Sequence, residues 1–184
     1  MNLILEGFQW IFAPAHWVTT AEGTGIPDAL AQHLLLTIVS LVFTVVIAVP
    51  LGFVIGHRGR GRYAAILSSY VARAVPTLGL CSALILIIPD VQGLPFGFVA
   101  DVIVFVLLGI PPMLAGAYAG LESVDRQTID AARATGMTEW QILTKVEIPL
   151  GAGIIMGGFR STTLQIVATV TVASYLGQVS LGTF

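Results

Sequence analysis

Charge is what this chain has least of: Asp, Glu, Lys and Arg make up 10% of its 184 residues. Soluble domains carry roughly a quarter charged residues, and a surface this short of charge cannot keep a folded chain in water. Cysteine is nearly absent too. Cys81 stands alone in an apolar run, which excludes disulfides and cysteine-built metal sites. His16, His33 and His57 are scattered without metal-ligand spacing and read as interfacial or loop residues. No Gly-x-x-x-x-Gly-Lys-Ser/Thr segment occurs, so the chain has no phosphate-cradling loop for hydrolysing ATP by itself. The net charge of −2 comes with no basic stripe, which argues against a nucleic-acid partner. Residues 1–17 hold no Lys or Arg and no small-residue cleavage site, so a signal peptide is not expected there.

Hydrophobic residues, by contrast, make up 56% of the chain, and the mean hydropathy is +0.93. That composition marks a membrane protein, here all-α and polytopic. Residues 1–29 mix Phe8, Trp10, Phe12 and Trp17 with Pro14, Gly23, Gly25 and Pro27, which suits a segment lying at the headgroup level. Residues 30–184 form the transmembrane domain. Residues 34–56 carry no charge and would reach about 35 Å as a helix, enough for a hydrocarbon core of roughly 30 Å. A second span is expected over 63–89, with Arg73 in its first third and a bend at Pro76. A third is expected over 102–121, broken or kinked at Pro111-Pro112, and a fourth from Ile148 to about Gly177, rich in Gly, Ser and Thr.

The basic loops, Arg58-Gly-Arg60-Gly-Arg62 and residues 122–147, then fall on one side, which the positive-inside rule makes cytoplasmic. The acid-only loop 90–101, the N-terminus and the visible C-terminus fall on the other. The spans have no Asp or Glu in their interiors; Asp101 stands at an edge, and Arg160 is the one clearly deep charge. Arginine does not release a proton, so a proton-driven carrier is disfavoured.

Residues 122–147 are a polar island in this apolar chain. Asp125 is placed to cap a first helix, Gly136 to end it, and Thr138-Glu-Trp-Gln141 to open a second with a capping box. Within the island, Asp130, Ala131, Ala132 and Gly136, followed by Pro149, resemble the Glu-Ala-Ala, glycine, late-proline signature of binding-protein-dependent ABC importer permeases. Further similarity runs through His33-Leu-Leu-Leu-Thr37, Val49-Pro-Leu-Gly52, Arg73-Ala-Val-Pro-Thr77, Tyr118-Ala-Gly-Leu-Glu-Ser-Val-Asp125 and Gly158-Phe-Arg-Ser161. The combination looks most like the osmoprotectant branch, whose solutes are quaternary amines such as glycine betaine, carnitine and choline. Asp130 stands where the family usually has Glu.

The resemblance implies a type I importer, methionine-permease-like fold in the prokaryotic cytoplasmic membrane. Four spans are visible, and it implies a fifth beyond a Gly-Leu-Gly-like end. It implies no cofactor in this chain, with ATP and Mg held by two copies of a cytoplasmic ATPase. The other implied partners are a second permease, identical or homologous, and an external substrate-binding protein. The helices at 122–147 would dock on the ATPase, with Trp140, Ile142 and Leu143 as contacts beside Glu139 and Lys145; the alternative is a helix on the membrane surface.

Thr162, Gln165 and Thr169 share a helix face by spacing. They either line a polar passage with Arg160 or serve packing, the hydroxyls bonding to their own helix. Arg160 itself suits either the substrate path or a packing partner. The rival functions are an importer of methionine or another amino acid and, in a different class, a small passive channel or secondary carrier.

Overall fold

The computed structural model describes residues 2–20, 23–59, 61, 63, 67, 74 and 76–184. Helix α1 (Leu3–Phe12) has no buried residue, and its C-terminal turn is folded back by the Trp10 and His16 rings, stacked 4.0 Å apart. Helix α2 (Ile26–Arg58) is 33 residues long. Pro27 and Asp28 stand in its first turn, His57 and Arg58 in its last, and Gly59 closes it at φ +64°. Each is the residue type that its helix end favours. The helix runs through Pro50 and starts upstream of the charge-free stretch, because Ala29 and His33 are already buried against the bundle.

Helix α3 (Thr77–Ile87) has Pro76 just outside its first turn, in extended conformation. The expected bend is therefore a helix start. Much of the upstream half of that expected span, Arg73 included, lies outside the described residues. Helix α4 (Phe98–Glu122) stays helical through Pro111 and Pro112, where a break or kink was expected. Helix α5 (Arg126–Ala134) and the short α6 (Glu139–Ile142) follow. A wide π-type turn, Leu143–Glu147, then leads into α7 (Ile148–Val170) and a 3-10 extension, Thr171–Leu176. From Glu139 to Leu176 the helix is continuous, so the island's second helix is the root of the last span rather than a separate piece. The wide turn ends just before Pro149, whose ring would meet the carbonyl four residues back in a regular α-helix.

Three of these helices are long and apolar enough to cross a membrane: Ile26–Arg58, Phe98–Glu122 and Glu139–Leu176. Helix α4 sits between α2 and α7, and glycine sets both contacts. A Cβ placed on Gly116 would stand 2.5 Å from the Gly158 Cα, and one on Gly120 would stand 2.9 Å from the Gly151 carbonyl oxygen. On the other side, a Cβ on Gly56 would meet the Tyr118 carbonyl oxygen at 2.9 Å. Such pairs let backbones approach closely where lipid supplies no hydrophobic drive for helix association. Leu36, Val104, Phe105, Ile166 and Val170 fill the core toward the end remote from the island, and Ala48, Met113 and Leu114 continue it.

Candidate functional site

The island is built by its caps. Asp125 Oδ1 accepts from the Gln127 backbone N–H at 3.2 Å and starts α5. At the other end the Gly136 N–H donates to the Arg133 carbonyl (2.9 Å) and the Met137 N–H to the Ala132 carbonyl (3.2 Å). This is a Schellman closure, and Gly136 takes the left-handed conformation it needs, φ +85°. Two residues later the Thr138 hydroxyl accepts from the Gln141 N–H while Gln141 Oε1 accepts from the Thr138 N–H. The helix, glycine, helix arrangement read from the sequence is the observed one.

An ion-pair fork links the two helices. Arg133 donates from Nε to Glu139 Oε1 (2.8 Å), from Nη2 to Glu139 Oε2 (3.0 Å) and from Nη1 to Asp130 Oδ1 (3.1 Å). These bonds, those to Glu139 foremost, push the guanidinium further above its ordinary range. Asp130 is thus an exposed acid paired within its own helix. Ala131 is exposed beside it, Ala132 half-buried, and Pro149 exposed after the wide turn.

The three expected contact residues do not act alike. Trp140 is 72% exposed, and with Leu143, Glu139, His57 and Arg58 it lines an open depression at this end of the bundle. Ile142, expected among the contacts, is fully buried and anchors the helix root instead of facing outward. A polar capped helix leaves one side free only by burying the other.

His57 is a helix residue rather than the interfacial or loop residue expected. It lies in the last turn of α2, with Nδ1 2.5 Å from Glu147 Oε2 and Nε2 3.2 Å from Glu139 Oε2. The contact puts the end of α2 and the island at one end of the bundle, as the charge pattern predicts; Arg60 and Arg62 lie outside the described residues. Loop 90–97 and the C-terminal segment share the opposite end, where Asp90 accepts from the Gly97 N–H at 2.9 Å and Trp10 meets Phe184. The available signal for Glu147 was its position, the last charge before an apolar span.

Along α7 the face holding Thr162, Gln165 and Thr169 turns onto the bundle. Thr162, fully buried, donates to the Gly158 carbonyl (2.9 Å), and Thr169 to the Gln165 carbonyl (2.6 Å). Gln165 Nε2 donates to the Leu108 carbonyl at 3.2 Å. Arg160 is exposed and stands apart from these three, on an open face with Gly153, Gly157 and Leu164. Asp101, which looked like an edge residue, and His33 are both buried in the bundle. No group of three or more metal-ligating side chains forms among the described residues.

This fold is shared with a known transport protein. A solved chain of the MetNI methionine ABC transporter, inward-facing, matches with a TM-score of 0.72 at 22% identity, over 86% of this chain and 77% of that one. The carnitine transport permease protein OpuCB of Listeria monocytogenes is 31% identical over 153 residues, 83% of this chain and 67% of that protein. The glycine betaine/carnitine/choline transport system permease protein OpuCB of Bacillus subtilis (strain 168) is 28% identical over 83% of this chain and 68% of its own length. The family described as binding-protein-dependent transport system inner membrane component matches residues 48–184, a stretch that holds the whole island and the span it roots. The chain belongs to that family, and its fold is that of a type I importer permease.

Proposed function

We propose that the chain is the membrane-spanning subunit of an ATP-driven importer for osmoprotectants of the quaternary-amine class, such as glycine betaine, carnitine or choline. What carries the reading is the island: two capped helices linked by the Arg133 fork, standing at the end of the bundle with Trp140 presented outward. A passive channel or a secondary carrier has no use for such a lever. The solute class is supported by the relatives, whose names specify carnitine, choline and glycine betaine.

In this reading two copies of a cytoplasmic ATPase bind ATP and Mg, and each takes one island into a groove of its surface. Trp140 and Leu143 supply apolar anchors and the charged side chains around them a rim. Closure of the ATPases draws the two islands together. Because α6 continues without a break into α7, the displacement reaches the span directly. A second permease, identical or homologous, meets the open face of α7, where Gly153, Gly157 and Arg160 border the path. An external binding protein selects the solute, holding the quaternary ammonium by cation–π attraction, and releases it into the cavity.

The test is purification of the complex from membranes, followed by uptake in proteoliposomes with glycine betaine, choline and methionine in competition. Co-purification of an ATPase and ATP-dependent uptake of the quaternary amines are expected. Uptake that persists without ATP or the ATPase would overturn the proposal.

A further inference from the structure

We propose that His57 is the positioning residue that joins the coupling helices to the spans, and that it does so in its charged form. The inference rests on the importer reading above. Nδ1 lies 2.5 Å from Glu147 Oε2 and Nε2 3.2 Å from Glu139 Oε2. A neutral imidazole has one N–H and one lone pair, whereas the imidazolium donates from both nitrogens. Only the charged ring can therefore hydrogen-bond Glu147 from Nδ1 and still attract Glu139 with an N–H at Nε2; in the neutral ring a lone pair faces a carboxylate oxygen.

The two acids are not equivalent. Glu139 is half-exposed and also held by Arg133, so it tolerates losing the ring. Glu147 is 3% exposed, and water cannot readily replace its partner. Glu139 opens α6 and Glu147 closes the wide turn, so one ring spans the segment where the lever becomes the span. Through His57 that segment is tied to α2, which packs along α4. Neutralising the ring frees the joint, and the island can then move without carrying α2 with it.

The surrounding charges are mixed. Arg58 is the neighbour on α2, Glu122 ends α4, and α5 contributes Arg126, Asp130 and Arg133. Lys145 on the wide turn is exposed. His57, Glu147, Glu122 and the three α5 residues line a common cavity of about 110 Å3, with the Tyr118 phenol of α4.

The experiment uses the full complex in proteoliposomes, recording solute imported and ATP hydrolysed at about pH 6 and about pH 8, the range over which histidines change charge. In the wild type the ATP spent per solute should rise several-fold toward the alkaline side. His57→Gln, which cannot become charged, should show the high ratio at both values. His57→Arg, charged throughout, should keep the low ratio at both. A wild-type ratio that does not change with pH, or variants that keep the wild-type pH profile, would overturn the proposal. If His57→Gln does not assemble, the arginine variant decides alone. A wild-type complex that imports nothing with ATP at either pH would sink the importer reading instead.

Discussion

Gln165 Nε2 donates to the Leu108 carbonyl oxygen across the α4–α7 interface, at 3.2 Å. Leu108 is four residues before Pro112, which has no N–H with which to satisfy that carbonyl within the helix. The amide of a neighbouring span therefore replaces the bond that Pro112 removes, one of the two lost at Pro111-Pro112, and so helps α4 stay helical inside a bilayer.

Removing that donor should show. Gln165→Leu is expected to cost about 1 kcal/mol in thermal or denaturant unfolding in detergent, within the range of interhelical hydrogen bonds in membranes. Pro112→Ala restores the backbone N–H, so in that background the same substitution should cost close to nothing. Equal costs in both backgrounds would refute the pairing.

The glycines of α7 separate by face. Gly158→Val places side-chain atoms where the Gly116 Cα already lies, 2.7 Å from the added Cβ, and should abolish a stable fold in a thermal scan. Gly157→Val meets nothing within 4 Å inside the chain, and the fold should survive it. Cross-linking of paired permeases should nevertheless weaken in that variant if the open face of α7 meets a second subunit.

Gly136 is held at φ +85° with open space around it. Strain rather than crowding is thus the expected effect of substitution. Gly136→Val should cost about 1–2 kcal/mol locally and reduce ATP-driven uptake without lowering the amount of protein in the membrane. Gly136→Asn, which tolerates the left-handed region, should retain most of the uptake. Uptake assays with immunoblotted membranes would separate the two.

Trp140 and Ile142 are two residues apart and should fail differently. Trp140→Ala removes a 72% exposed side chain; co-purification of the ATPase should drop while stability stays within about 0.5 kcal/mol of wild type. Ile142→Ala empties a fully buried position and should cost about 2–5 kcal/mol, seen first as a lower unfolding temperature.

The sequence alone determined what depends on near neighbours. Scarcity of charge put the chain in a membrane, the distribution of Arg placed two loops at one end, and Asp125, Gly136 and Thr138 fixed the ends of the island helices. Caps and helix ends are satisfied within a few residues, so their chemistry is written locally. Tertiary structure alone decided which face of each helix turns inward. Gly151 and Gly158 lie against α4 while Gly153 and Gly157 lie open, and no periodicity in a glycine-rich apolar span distinguishes them. The Leu108–Gln165 pair is 57 residues apart and the His57–Glu147 pair 90. Which partner satisfies such a group depends on where packing brings the helices together, and in a bilayer that is set by how closely their backbones can approach.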